Sequence, residues 1–204
     1  MATVVMDARF AEELRQQRAD SGSDRWDEVW EGTYMMAPLP NIEHQEFVTR
    51  LGVIFQETVG WDSGDIVLPG TNVSDREKGW KFNYRCPDVV VYLTGTRAKN
   101  CGTHWCGGPD FAVEIISPDD MVRDKLPFYG KVAMRELLIV DRDPWSLELM
   151  RLSGRKLKSI GVSSGKRGRL LQSSVLPLRF RLLGGKRRPT IEAVRSTDGK
   201  TWLV

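Results

Sequence analysis

Apolar residues recur along the chain with two different periods, and the change of period divides the sequence into regions. Between residues 42 and 59 they occupy one helical face at the spacing i, i+1, i+4, i+7 and i+8, namely Phe47, Val48, Leu51, Ile54 and Phe55. Asn41, directly before this stretch, is a good N-cap because its side chain can accept a backbone N–H of the first turn. The pattern predicts a helix over 42–59 with one buried face.

From residue 64 onward the period shortens to two, which is typical of β-strands. Five apolar segments follow, with the sequences GDIVLP, PDVVVYL, FAVEIIS, ELLIVD and LELMRL. The middle ones are almost wholly apolar, as expected for strands that are covered on both faces of their sheet. We therefore expect these segments to form the centre of the fold.

Weaker patterns surround this centre. We expect a helix over 9–19 followed by a loose linker, a hairpin that turns at Glu31-Gly32, and a helix within 118–134 despite Pro127 and Gly130. From residue 154 the sequence predicts β-ribbons. The fold class is therefore α/β (α+β): a mixed β-sheet flanked by helices, with an N-terminal helix and hairpin and C-terminal β-ribbons.

Composition narrows the class of protein. The chain has 204 residues and three cysteines, an odd number that predicts no disulfide framework. No apolar run reaches the roughly 18 residues of a membrane span, and charges interrupt the N-terminus too early for a secretory signal. We expect a cytoplasmic protein with no membrane partner, in which 1–25 form a helix and linker and 26–204 a single domain.

The net charge of +3 hides an uneven distribution. Residues 1–150 hold 16 Lys/Arg and 25 Asp/Glu (16 − 25 = −9), residues 151–188 hold 12 Lys/Arg and no acid (+12), and the last 16 residues balance to zero. Such a basic strip is typical either of a surface for a polyanion or of a solvated sheet face. Within it, Lys166, Arg167 and Arg169 are the candidates for nucleic-acid binding.

Two of the apolar strands carry an acid. Asp88 begins PDVVVYL and Glu114 lies in the middle of FAVEIIS. A buried carboxylate is costly unless it is paired or binds a metal. If the two strands are neighbours, about 4.8 Å apart, both carboxylates can reach one ion, whereas Asp110 lies roughly 13 Å along its strand from Glu114. Oxygen ligands favour Mg²⁺ or Mn²⁺ over zinc, and arginine salt bridges are the structural alternative.

The motifs in order, RCPDVVVYL, GGPDFAVEIISP, DKLPFY, ELLIVDRDP and SSVLPL, resemble the Uma-type "putative restriction endonuclease" family of the PD-(D/E)xK nuclease superfamily. The hairpin and helix WDEVWEGTYMMAPLPNIEHQEFVTRL resemble the opening of that family. The likeness extends over about 26–183, which we take as the core, with a C-terminal hairpin extension beyond it. It implies a restriction-endonuclease-like fold.

The resemblance also implies a site made of an Asp, a Glu and a Lys. Asp88 matches the Asp of the Pro-Asp motif and Glu114 the Glu that precedes Ser117-Pro118. The lysine usual in the superfamily, two residues after the Glu, is replaced by Ile116. The family places its lysine on the next helix, four residues before a tyrosine, which here is Lys125 ahead of Tyr129.

The resemblance therefore implies a Mg²⁺- or Mn²⁺-dependent endonuclease that hydrolyses DNA phosphodiester bonds, with Asp88 and Glu114 as metal ligands and Lys125 as a third catalytic residue. The alternative is a catalytically weak or inactive nucleic-acid-binding protein that keeps the fold. A homodimer is expected if both DNA strands are cut, because each chain has one site.

Other residues have two interpretations each. His44 and Glu43 at the start of the 42–59 helix are accessory site candidates, or a core histidine and an exposed helix-start acid. Cys101, His104 and Cys106 form one compact group without a separate partner pair, which argues against zinc. The segment 80–85, with Trp80, Lys81, Tyr84 and Arg85, is either a basic-aromatic patch for nucleic acid or a plain hairpin surface.

Overall fold

A six-stranded mixed sheet forms the centre of the molecule in the computed structural model, which describes residues 3–116, 121–165, 168–185 and 188–204. Its strands, in chain order, are β4 (Ile66–Pro69), β7 (Val89–Tyr92), β10 (Phe111–Ile115), β11 (Glu136–Arg142), β12 (Trp145–Ser153) and β13 (Lys156–Ser164). Within the sheet they lie in the order β13-β12-β11-β10-β7-β4. The strands β10 and β11 are parallel and every other pair is antiparallel.

A second sheet of seven short strands carries the opening hairpin, in the order β1-β3-β2-β6-β5-β9-β8. Its strands are β1 (Thr3–Val5), β2 (Glu28–Trp30), β3 (Thr33–Met36), β5 (Val73–Ser74), β6 (Tyr84–Arg85), β8 (Lys99–Asn100) and β9 (Trp105–Cys106). The C-terminal segment forms a four-stranded antiparallel sheet of β14 (Leu171–Gln172), β15 (Leu178–Leu183), β16 (Thr190–Arg195) and β17 (Thr201–Leu203).

Three helices, α1 (Ala8–Asp20), α2 (Ile42–Val59) and α3 (Val122–Lys131), pack on these sheets, and a 3-10 helix spans Trp80–Phe82. The alternating residues of β7 and β10 face two separate cores. Val89 and Val113 face α2 and the C-terminal sheet, whereas Val90 and Ala112 lie in the core that contains residues of α3. The central strands are therefore covered on both faces, as their apolar sequences predicted.

The predicted fold class is confirmed, and most elements lie where the pattern placed them. The helix α2 has the predicted bounds, and Asn41 Oδ1 accepts the backbone N–H of His44 at 2.9 Å. The helix α3 ends at Lys131, before the predicted 134, because Ala133 adopts a left-handed conformation with φ of 61°. The sequence did not predict β1, which pairs with β3.

Within the described residues, no helix is long and apolar enough to cross a membrane.

Candidate active site at one end of the central sheet

Asp88 and Glu114 lie side by side on neighbouring antiparallel strands. The register pairs Val89 of β7 with Val113 of β10, so that Asp88 stands opposite Glu114 one step further along. Two hydrogen bonds fix this arrangement: Asp88 N donates to Val113 O at 3.1 Å, and Ile115 N donates to Asp88 Oδ2 at 2.7 Å. The expectation that these two strands are neighbours is confirmed.

Asp110, which the sequence analysis judged too far along the strand to share an ion with Glu114, lies away from this pair. Asp110, at the opposite end of β10, forms an ion pair with Arg135 at 2.9 Å and accepts the backbone N–H of Leu93 at 2.9 Å. These bonds hold Asp110 at the far end of the strand from Glu114.

The helix α3 contributes two side chains to Glu114. Lys125 Nζ lies 3.3 Å from Glu114 Oε1, and the Tyr129 hydroxyl, one turn later, donates to the same oxygen. Burial and the charge of Glu114 raise the pKa of Tyr129, so its phenol keeps the proton that it donates. The spacing of four residues places both groups on one face of α3. The structure thus brings Asp88, Glu114 and Lys125 together, as the family resemblance implied.

A third carboxylate, Glu28 of β2, belongs to the same cluster and was missed by the sequence analysis. Its Oε1 lies 2.9 Å from Lys125 Nζ and accepts the backbone N–H of Cys86 at 2.9 Å, while its Oε2 accepts Trp30 Nε1 at 2.6 Å. The residue is 6% exposed. In the segment WDEVW, an acid among apolar residues was the available sign of a buried carboxylate. Asp27, next to Glu28, shows the same sign, so the pattern does not distinguish the two.

The cluster holds more negative than positive charge. Burial raises the pKa of Glu114 to about 8, from an ordinary value of 4.5; the Lys125 ammonium opposes this shift, and the charges of Asp88 and Glu28 add to it. Among the described residues, Lys125 is the lysine that forms ion pairs with these carboxylates. A further cation at this position would therefore stabilise the ionised form of Glu114.

The donor set fits a hard divalent cation. Asp88 and Glu114 offer carboxylate oxygens from adjacent strands, and the strand backbone adds carbonyl oxygens, such as that of Ile115. Within residues 3–116, 121–165, 168–185 and 188–204, no three acids, histidines or cysteines surround one point as a complete metal cage. Carboxylate oxygens are the type of ligand that Mg²⁺ prefers in proteins.

Of the two accessory candidates, His44 contacts the site directly. His44 Nε2 lies 3.2 Å from Asp88 Oδ1, within ion-pair distance. The other ring nitrogen, Nδ1, is buried and has no hydrogen-bond partner among the described residues. A histidine on the buried face of α2 therefore lies beside a site carboxylate.

Glu43 is held by arginines at the rim of the site. It lies 3.0 Å from Arg142 Nη1 and 3.8 Å from Arg188 Nε. Arg142 Nε also donates to the carbonyl of Ile116, directly after β10, at 3.1 Å. Glu43 is thus connected to the end of β10 through a guanidinium.

The basic strip is partly neutralised. Its arginines Arg151, Arg181 and Arg188 form ion pairs with glutamates of other segments. Of the nucleic-acid-binding candidates, Lys166 and Arg167 lie outside the described residues. Arg169 is exposed, with Nη2 at 3.5 Å from the carbonyl of Ile160.

The aromatic segment 80–85 follows β5 and includes β6, and the cluster of Cys101, His104 and Cys106 comes later in the chain. Both ring nitrogens of His104 are hydrogen-bonded, Nδ1 to the Thr103 hydroxyl at 3.2 Å and Nε2 to the carbonyl of Arg76 at 3.1 Å. In the segment 80–85, the side chain of Arg85 is buried and donates to the carbonyl of Val29 at 3.0 Å. Arg85 is therefore not part of a surface patch.

Comparison with known proteins shows the family and the fold of the chain. The sequence profile of the Uma2 family, described as "Putative restriction endonuclease", matches residues 11–183 and so includes most of α1. No curated protein matches the chain. Among solved structures, the chain is similar to "a putative nuclease belonging to DUF820" from Anabaena variabilis, with a TM-score of 0.56 and 17% identity, over 72% of this chain and 80% of that one. The fold is therefore nuclease-like, and the chain belongs to the Uma2 family.

Proposed function

We propose that the chain is a metal-dependent endonuclease that hydrolyses phosphodiester bonds of DNA, with Asp88 and Glu114 as ligands of Mg²⁺ or Mn²⁺ and Lys125 as the third catalytic residue. One observation carries the proposal: two carboxylates on adjacent strands share a buried end of the sheet with a lysine bonded to one of them. Membership of a family described as restriction endonucleases supports the same reaction class.

Each residue has a role that follows from its contacts. A bound divalent ion would supply an acidified water and a sink for charge on the phosphate. His44 and the Ile115 N–H each hold one oxygen of Asp88, which fixes the orientation of that carboxylate. Glu28 holds the Lys125 ammonium beside Glu114, where its positive charge can stabilise a phosphate oxygen.

The basic strip reaches the same edge of the sheet. The strands β10 and β11 are parallel and end together, and β13 ends opposite the start of β12 at that edge, with Ser164 paired to Ser146. Three strand spacings separate β13 from β10, about 14 Å, which corresponds to about four phosphates along one strand of B-DNA. We propose that the exposed Arg169 contacts the DNA backbone, together with Lys166 and Arg167, which lie outside the described residues.

A chain with one such site cuts one strand at a time. Cleavage of both strands at one place therefore favours two copies of the chain, and we propose a homodimer as the form that cuts duplex DNA.

The test is cleavage of supercoiled plasmid by purified protein. We expect cleavage that requires Mg²⁺ or Mn²⁺, stops with EDTA, and falls by at least about 100-fold in Asp88→Asn and in Glu114→Gln, since each change removes a metal ligand at nearly constant volume. Asp62→Asn, at an exposed loop position, is the matched control and should cut like the wild type.

Cleavage that persists in either site variant would show that the carboxylates are misassigned. A wild-type protein that binds DNA but does not cut it with either metal would instead be the inactive binding protein of the alternative interpretation.

A further inference from the structure

A cavity of about 690 Å³ lies on the other side of β6 from the carboxylate cluster. Residues of α1, the β2–β3 hairpin, the loop after β4 and the 3-10 helix form its walls. Its size is within the usual range of small-ligand sites. None of the contacts that build the candidate active site accounts for it.

Aromatic rings form one wall of the cavity. Trp80 is stacked on the His104 ring, with centroids 4.8 Å apart and planes at 14°, and meets the Tyr84 ring edge-on at 5.1 Å. These two contacts fix the indole in place, while Trp80 and Tyr84 both line the cavity together with Tyr34. A fixed, partly exposed indole is a good platform for stacking a planar ligand.

Three cations and three acids line the cavity, and two of the acids, Glu12 and Asp27, form ion pairs with arginines. The lining contains Arg15, Arg25 and Lys81 together with Glu12, Asp24 and Asp27. Asp27 accepts Arg18 Nε at 2.6 Å and the Tyr34 hydroxyl, and Glu12 forms an ion pair with Arg15 at 3.6 Å. The exposed Arg25 and Lys81 share the lining with two exposed carboxylates, Asp24 and Glu12, of which Glu12 is paired with Arg15.

The cavity and the carboxylate cluster share one backbone segment. The side chain of Cys86 lines the cavity, while its N–H donates to Glu28 Oε1 in the cluster. Gly70, also in the lining, donates its N–H to the carbonyl of Asp88 at 2.9 Å. Cys86 and Asp88 are two steps apart along the chain, with Pro87 between them, which places the cavity lining about 7 Å from the proposed metal ligand if the backbone is extended.

We infer that this cavity binds an unpaired nucleotide of the substrate strand, next to the phosphate that is cut, with its base against Trp80 and its phosphate near Lys81 and Arg25. The inference rests on the proposed function, since it assigns this nucleotide to the DNA at the Asp88–Glu114 site. A paired base cannot enter a concave site because it remains in the helical stack, so the ligand must be an unpaired or flipped nucleotide.

The test is equilibrium binding in EDTA, where no cleavage occurs, with two fluorescent probes of equal length: a fully paired DNA duplex and the same duplex with a short central bubble. We expect the wild type to bind the bubble more tightly than the duplex. Trp80→Ala should weaken binding of the bubble by roughly 5- to 100-fold, the effect of losing one base–aromatic stack, and leave binding of the duplex unchanged. Trp61→Ala, at a residue that is 77% exposed and outside the cavity, is the matched control.

Trp80→Leu keeps apolar volume without a ring and should show the same selective loss, which covers the case that the alanine variant does not fold. Equal affinity of the wild type for both probes, or equal losses for both probes in the Trp80 variants, would overturn the inference. Because binding is measured without metal, the two proposals can fail separately. Selective loss without plasmid cleavage would refute the nuclease alone, and cleavage without bubble preference would refute this site alone.

Discussion

Carboxylates are buried at both ends of the central sheet, but their negative charges are neutralised in different ways at the two ends. At one end, Glu136 at the start of β11 is completely buried. It accepts hydrogen bonds from the Ser173 hydroxyl at 2.5 Å, the Ser174 hydroxyl at 2.8 Å and Arg151 Nε at 2.7 Å. Its neighbour Asp110 has Arg135 in the same way. Each acid at this end therefore has an arginine of its own.

At the other end, three acids are brought together around one lysine. Glu28 and Glu114 both lie within ion-pair distance of Lys125, and Asp88 lies on the strand beside Glu114. Burial and the neighbouring negative charges raise the pKa of Glu114 to about 8, although Lys125 opposes them. Within the part of the chain that the structure describes, Lys125 is thus shared between Glu28 and Glu114.

We propose that this difference separates a structural carboxylate, Glu136, from a functional one, Glu114. A buried acid that only holds the fold together is stabilised by a full set of donors, because an unsatisfied charge is costly. A buried acid that is left short of cations costs stability, and such a cost is typical of sites that bind a further positive group. Matched substitutions at Glu136 and Glu114 should therefore have opposite effects on stability.

The largest effect on stability is expected at the Asp110–Glu136 end of the sheet, where each acid is paired with an arginine. Glu136→Gln keeps the shape of the side chain but weakens its charge-assisted hydrogen bonds to Arg151 and the two serines. We expect the free energy of unfolding to fall by about 3 kcal/mol, measured by urea denaturation at pH 8 without metal. Plasmid cleavage by the folded variant should remain metal-dependent. A Glu136→Gln protein as stable as the wild type would show that this end is not held together by its acid.

A smaller effect of opposite sign is expected for Glu114→Gln in metal-free protein. The folded wild type keeps the Glu114 proton up to about pH 8, whereas the unfolded chain releases it near 4.5. The folded state binds more protons in this window, so the free energy of unfolding of the wild type decreases as pH rises from 4.5 to 8.

Glutamine does not titrate, so this loss should be absent from the variant. We expect the two proteins to be equally stable near pH 4.5 and Glu114→Gln to be more stable by roughly 1–3 kcal/mol at pH 8.5, measured in EDTA. A stability difference that does not change with pH would contradict the raised pKa of Glu114.

The sequence predicted the part of the molecule that depends on local pattern. The apolar spacing and Asn41 placed α2, and the apolar runs predicted the strands that carry Asp88 and Glu114. That these strands are adjacent was a condition of the metal-site hypothesis, and the structure meets it. The position of Lys125 came from the family resemblance, since nothing in the local pattern distinguishes it from other lysines.

What the sequence did not predict depends on long-range pairing. Glu28 reaches the cluster because β2 pairs with β6 through one residue pair, Val29 with Tyr84, a contact that no local pattern encodes. The basic strip looked uniform, yet Arg151 and Arg181 are taken up by Glu136 and Glu192. Such partners become visible only when distant strands are brought together.

The most direct test of the difference between the two ends is anomalous X-ray density from crystals of the full chain soaked in Mn²⁺. We expect one Mn²⁺ bound by Asp88 and Glu114 and none at Asp110 or Glu136, whose charges are already paired with arginine. A Mn²⁺ ion at the Asp110–Glu136 end, or no ion between Asp88 and Glu114 at saturating Mn²⁺, would contradict the assignment of the active site.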